Sequence, residues 1–147
     1  MSSGLDLLRI ARAHIGEPYQ LGARAPFDDP DYAGPWDCAE FVSWCAFQIF
    51  GRKFGVTRRG DPYSGAWIAL AEQPAHTLSV AEAMARPGAV LVRRAHHYGA
   101  GHVAISDGAG GTVEARSARA GVVAARAVGR VWDLGCALPG APSSASD

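Results

Sequence analysis

Lysine is nearly missing from this 147-residue chain, where Lys53 stands against thirteen arginines. Beside so much alanine and glycine, that skew reads as coding bias rather than as a functional basic tract. Net charge is missing too, because 14 basic residues balance 14 acidic ones. This removes the electrostatic case for a nucleic-acid partner or an anionic membrane. Cysteine is scarce and odd in number (Cys38, Cys45 and Cys136), with no Cys-x-x-Cys pair. A disulfide framework and a thiolate zinc site are both disfavoured. No apolar run is long enough for a membrane span, and the segment "MSSGLDLLRIARAHIG" lacks the apolar core of a secretory signal.

What is present suits one globular domain, with 48% hydrophobic and 19% charged residues. Apolar spacing predicts a helix over 3–15, with Leu5, Leu8, Ala11 and Ile15 on its inner face and Gly16 as its stop. Residues 16–35 are dense in Gly, Pro and Asp and read as a long loop of the kind that often carries function. The clearest helix is 37–50. Asp37 caps it, Glu40 completes a capping box, and Gly51 ends it. Phe41, Trp44, Cys45 and Ile49 recur at helical spacing, which makes this the central buried helix. Asp61 and Pro62 mark the start of a third helix, and Ser79 with Glu82 form a second capping box. Period-two strands follow at 89–94, 102–107, 112–117, 121–126 and 130–135. Helices first and a strand meander afterwards predict an α+β domain over 1–138, with helices on one side of an antiparallel five- to six-stranded sheet. The tail, 139–147, is expected to be disordered.

Cysteine attacks as the thiolate, and a helix N-terminus favours an anion, so the position of Cys38 suits a nucleophile. The same backbone N–H groups suit an oxyanion. Asp37 opposes thiolate formation unless it turns to cap the helix. Cys45, on the apolar face, and Cys136, at a strand end, read as structural. A nucleophilic thiol needs a base held by a third group. Alternation puts His102, Ala104 and Ser106 on one strand face, and Thr112, Glu114 and Arg116 on one face of the next. His102 and Glu114 meet only if the hairpin loop between them has an odd number of residues. A five-residue loop, 107–111, pairs Ala104 with Glu114 and leaves His102 one diagonal step away.

Competing readings stay open at this point. Cys38 can be a packed thiol, His102 a strand-edge histidine bonded to backbone, and Glu114 a surface partner of Arg116 or Arg119. Tyr19 can simply pack its ring. His96, His97, His102 and Glu114 are candidate metal ligands. Arg93 and Arg94 read by default as a solvated strand end, with a substrate carboxylate as the alternative.

The segments "GEPYQLG", "DCAEFVSW", "RPGAVLV", "GHVAISDG" and "TVEARS" resemble the NlpC-type cysteine peptidases of bacterial cell walls, a papain-like family. The likeness runs from about residue 8 to 125 in the family's order. It implies Cys38 as nucleophile, His102 as general base and Glu114 in the third position. Tyr19 matches an oxyanion or substrate-positioning tyrosine, and Asp37 an aspartate that holds the free amine of a stem peptide. The chain departs from the family with Ala39-Glu40 in place of Ser-Gly, Glu at the third position, and Ala89 in place of Asp. The resemblance implies peptidoglycan peptides as substrate, cut at the D-glutamyl–diamino acid amide. An amidase or acyltransferase using the same pair, and a non-catalytic or metal-binding module, are the alternatives. No cofactor and no metal are expected. A monomer is expected, with an immunity or inhibitor protein as partner if the enzyme is toxic to relatives of its maker. Made in the cytoplasm without a signal peptide, it would act on the wall or periplasm after lysis or specialised export.

Overall fold

The computed structural model describes residues 3–96 and 99–139. The predicted tail, but for Pro139, and His97 lie outside them. Four helices, α1 (Gly4–Arg12), α2 (Cys38–Phe50), α3 (Ser64–Glu72) and α4 (Val80–Met84), accompany six strands. The strands are β1 (Thr77–Leu78), β2 (Val90–Arg93), β3 (His102–Ser106), β4 (Gly111–Ser117), β5 (Gly121–Arg126) and β6 (Leu134–Cys136). They form one antiparallel sheet in the order β1-β6-β2-β3-β4-β5. The expected α+β architecture and strand count are found.

Alternation divides the sheet into two buried faces. Val90, Val92, Val103, Ile105, Val113 and Ala115 join the main core with α1, α2 and α3. Leu91 and Ala104 face the other way, against Ala83 of α4 and Trp132. The expectation of helices on one side only is therefore corrected. A strand whose alternate residues are all apolar needs cover on both faces, and α4 with the segment before β6 supplies it over the middle of the sheet.

Several boundaries also differ from the reading of the sequence. In α1, Ser3 and Asp6 form a capping box, and the inner face is Gly4, Leu7, Leu8 and Ala11. Leu5 lies about 100° round from Gly4 and is 53% exposed, and Ile15 falls beyond the helix end. The capping box expected in α2 is only half formed. Asp37 accepts the Glu40 N–H at 2.9 Å, while the Glu40 carboxylate turns away to accept the Ala25 N–H at 3.1 Å. Asp61 and Pro62 do not start α3. Tyr63 occupies its cap position without a side-chain bond, because Pro62 is held in a bridge with Val56. The last predicted strand shortens to β6, leaving Arg130–Asp133 as irregular chain.

The loop over 16–35 is ordered by what it is tied to. Trp36 donates its N–H to the Pro18 carbonyl and accepts from Gln20 N–H. The α2 side chains Trp44 and Gln48 donate to the carbonyls of Pro26, Asp29 and Phe27. Buried Ser43 donates to the Phe54 carbonyl and accepts from the Trp67 indole at 3.0 Å, which joins α2 to α3. Backbone contact docks α1 onto the start of β2. Gly88 has φ +83°, and a Cβ there would lie 2.3 Å from the Gly4 Cα. Only glycine fits at that approach.

Candidate active site

Asp37 is the N-cap of α2 and Cys38 its first residue. The Asp37 carboxylate accepts a hydrogen bond from the Glu40 N–H. Burial raises its pKa, while the backbone N–H groups of Glu40, Gly22 and Ala39 act in the opposite direction. The Cys38 thiol is free and half-buried. It lies against the start of β3, near enough to the Val103 N–H for that group to favour its anion. Burial nevertheless pushes its pKa up to about 11, with a further push from the Asp37 charge. Backbone N–H groups of Val103, Ala39 and Cys38 itself act in the opposite direction. Unaided, this thiol stays protonated at neutral pH.

His102 begins β3, and the glycine before it permits the strand's close approach to α3. A Cβ on Gly101 would meet Ser64 Oγ at 2.7 Å and the Arg93 carbonyl at 3.1 Å. The β3–β4 register pairs Ile105 with Val113 and Ser106 with Thr112, leaving the five-residue loop 107–111. Ala104 then falls opposite Glu114, as the parity argument requires, and His102 stands one diagonal step away. Its Nε2 is 2.8 Å from Glu114 Oε1.

Glu114 is fully buried. Burial would raise its pKa, but Arg130, His102 and Thr112 outweigh that and hold it at about 2. Arg130 binds both carboxylate oxygens at 2.8 Å each, and the Thr112 hydroxyl donates to Oε2. The surface pairing of Glu114 with Arg116 or Arg119 is therefore not what the fold builds. An ionised carboxylate only accepts, so the proton on His102 sits on Nε2 and Nδ1 carries the lone pair. Trp132 lies over the imidazole, with ring centroids 6.1 Å apart, and Arg130 stacks on Trp132 at 4.8 Å. Reading the sequence missed Arg130 and Trp132, since both fall in a stretch that scans as a strand.

Cys38, His102, Asp37 and Tyr19 line one cleft of about 350 Å³ with Tyr63 and Ser64. Burial raises the Tyr19 pKa, and the neighbouring Cys38 and Asp37 add to the effect. The phenol is thus neutral and able to donate. The structure brings together all five site residues expected from the sequence. Among the described residues no three His, Cys, Asp or Glu side chains converge as metal ligands, and His97, one of the four candidates, lies outside them.

A family model for the CHAP domain matches residues 28–117, well over half of the chain and the span from the loop through β4. The chain belongs to the CHAP domain family. Among solved structures, this CHAP domain is similar to the NlpC/p60 domain of the peptidoglycan hydrolase SagA. The TM-score is 0.68 at 24% identity, over 92% of this chain and 99% of that one. The P60 domain of an antigen from M. avium subspecies paratuberculosis gives 0.65 at 18%, over 90% and 91% of the two chains. The peptidoglycan hydrolase RipB from Mycobacterium tuberculosis gives 0.65 at 19%, over 91% of this chain and 63% of that one. At these identities the likeness establishes the papain-like NlpC/p60 fold. No curated protein matches the sequence significantly.

Proposed function

We propose that this CHAP domain is a cysteine peptidase that hydrolyses peptidoglycan stem peptides at the amide between D-glutamate and the diamino acid. One observation carries the reading. A buried, ionised Glu114 leaves the Nδ1 lone pair of His102 in the same cleft as the Cys38 thiol. The likeness to two peptidoglycan hydrolases, SagA and RipB, supports the substrate class, and the fit of the "GEPY", "DCAEFV" and "GHV" segments supports the bond.

His102 Nδ1 takes the thiol proton as Cys38 Sγ bonds to the scissile carbonyl carbon, whose π electrons move onto oxygen. The Cys38 N–H and the Tyr19 hydroxyl donate to that oxyanion. The imidazolium then protonates the departing amine, leaving an acyl-enzyme. Water, deprotonated by His102, releases the acid and restores the thiol. Glu114 holds the imidazole in one tautomer and balances its transient charge. Because the resting thiol has a raised pKa, deprotonation is coupled to attack rather than completed before it. No cofactor enters the scheme. The site of action is the wall or material released from it.

The test is digestion of purified peptidoglycan, with the fragments read by mass spectrometry. The wild type should release products ending in free D-glutamate, and Cys38→Ala should lower the rate by roughly a thousandfold or more with its fold intact. A different fragment would identify an amidase using the same pair, and full activity in Cys38→Ala would remove the nucleophile.

A further inference from the structure

Glu114 orients the base, and the group that orients Glu114 comes from outside the hairpin. After β5 the chain turns at Gly129, which has φ +86°, and the Arg130 N–H closes onto the Ala127 carbonyl at 3.2 Å. The Trp132 indole N–H donates to the same carbonyl at 3.2 Å. Ala127 N–H in turn donates to the Gly110 carbonyl at 2.9 Å, which docks the turn on the β3–β4 loop. This brings Arg130 back onto Glu114.

Four contacts fix the guanidinium. Nη1 donates to Glu114 Oε2 at 2.8 Å and to the Arg126 carbonyl at 3.0 Å, while Nη2 donates to Glu114 Oε1 at 2.8 Å. Its Cζ sits over the Trp132 ring at 4.8 Å, and that indole also lies against the His102 imidazole. Glu114 Oε1 is therefore shared between Arg130 and the base.

Stability by itself does not call for this clamp, because a buried ion pair is commonly no better than an apolar pair of the same volume. The reaction does call for it. A carboxylate that faces an imidazole with no other cation stabilises the imidazolium, which cannot take a thiol proton. If the carboxyl were protonated instead, it would donate to Nε2 and leave the imidazole proton on Nδ1. A bidentate guanidinium prevents both, since its charge offsets that of Glu114 and favours the ionised form. We infer that Arg130 is a positioning residue of the reaction, which acts through Glu114 to keep His102 neutral and its Nδ1 free for the Cys38 proton. This rests on the reaction proposed above.

Other charged or titratable groups also surround the imidazole. Cys38 and Asp37 of α2 share the cleft with Tyr19 and Tyr63, and Arg93, His96 and Arg116 border the cavity that Arg130 lines. All of them stay in place when Arg130 is replaced, so a change in the pH profile belongs to Arg130.

The test is the pH dependence of kcat/KM for stem-peptide cleavage, beside that of Cys38 alkylation by iodoacetamide, which needs no peptide. In Arg130→Gln the acid limb of both curves should move about one unit or more to higher pH, with KM little changed. Arg130→Lys keeps the charge without the fork. Its limb should stay with the wild type's, while kcat falls several-fold. The Arg130 side chain is 19% exposed, which favours folding of the glutamine variant. Should that variant not fold, Arg130→Lys decides alone, because a limb displaced there by about a unit overturns the role of the charge. Cleavage at the D-glutamyl amide with an unmoved limb in Arg130→Gln overturns the inference and leaves the reaction standing. An equal loss at every pH, with the fold intact, makes Arg130 structural and overturns it too. A limb that moves in alkylation, with no stem cut at that bond by the wild type, overturns the reaction and supports the role of Arg130.

Discussion

At the residue scale the site is a chain of proton-holding decisions, each traceable to a neighbour. Arg130 and Thr112 keep Glu114 ionised, Glu114 keeps the His102 proton on Nε2, and burial keeps the proton on Cys38. With its pKa near 11, Cys38 in His102→Ala should react with iodoacetamide only as pH climbs past about 9. The wild type should react well below that, because the imidazole takes the proton. Superimposable pH–rate curves for the two proteins would deny His102 the role of base. The Glu114 pKa lies below its ordinary 4.5, so its contribution to stability is present above 4.5 and is lost as pH falls toward 2. Arg130→Met should cost roughly 3 kcal/mol by stranding a buried carboxylate. It should also move the onset of acid unfolding to higher pH, as followed by circular dichroism. Legibility at this scale was uneven. The residues of the Cys–His–Glu constellation announce themselves by type and spacing. Arg130 does not, because nothing local distinguishes a guanidinium that folds back onto a carboxylate sixteen residues earlier from a solvated one.

At the scale of elements, the N-terminus of α2 concentrates the conflict. Asp37 stabilises the helix as its cap while its charge opposes the thiolate it adjoins. The two effects separate by substitution. Asp37→Ala should lose about 1 kcal/mol of stability with the cap. Asp37→Asn keeps an acceptor and removes the charge, so it should be nearly as stable as wild type, and its Cys38 should alkylate faster at pH 8. If Asp37 also holds the free amine of a stem peptide, Asp37→Asn will raise KM while the alkylation rate rises, a split that capping alone does not produce. Ser3 with Asp6 and Ser79 with Glu82 behave as their sequence pattern predicts. Glu40 and Asp61 do not, because tertiary partners outbid the local ones. Glu40 finds a buried N–H at Ala25, and the chain around Asp61 is committed to bridges with the 55–57 segment. Capping boxes are legible when both partners face solvent and ambiguous when one is drawn inward.

At the scale of the whole molecule, two buried carboxylates bend the stability curve in opposite directions. Glu114 weakens the fold in acid. Glu40, which pins the long loop to α2, is raised by burial to about 7, with Asp37 and Asp61 adding to the effect against the Ala25 N–H and Arg24. A raised carboxylate contributes most below its unfolded value of about 4.5, and that stability is lost as pH rises through 7. Glu40→Gln should keep the acceptor for Ala25 and flatten the melting temperature between pH 5 and 8, gaining on the order of 5 °C at the alkaline end. Parallel curves for variant and wild type would show that Glu40 is not buried as charge. The sequence by itself determined the α+β class, the central helix, the odd-length hairpin loop and the residues meeting in the cleft. These follow from periodicity, turn chemistry and motif spacing, all of which are local. The tertiary structure alone decided that the sheet is covered on both faces, that Glu114 is clamped by Arg130, and that Arg93 stands across from His102 while Arg94 turns to Glu72 and Asp133. Those outcomes depend on strand order and on which distant groups must be neutralised when charge leaves water, and no short window of sequence carries that information.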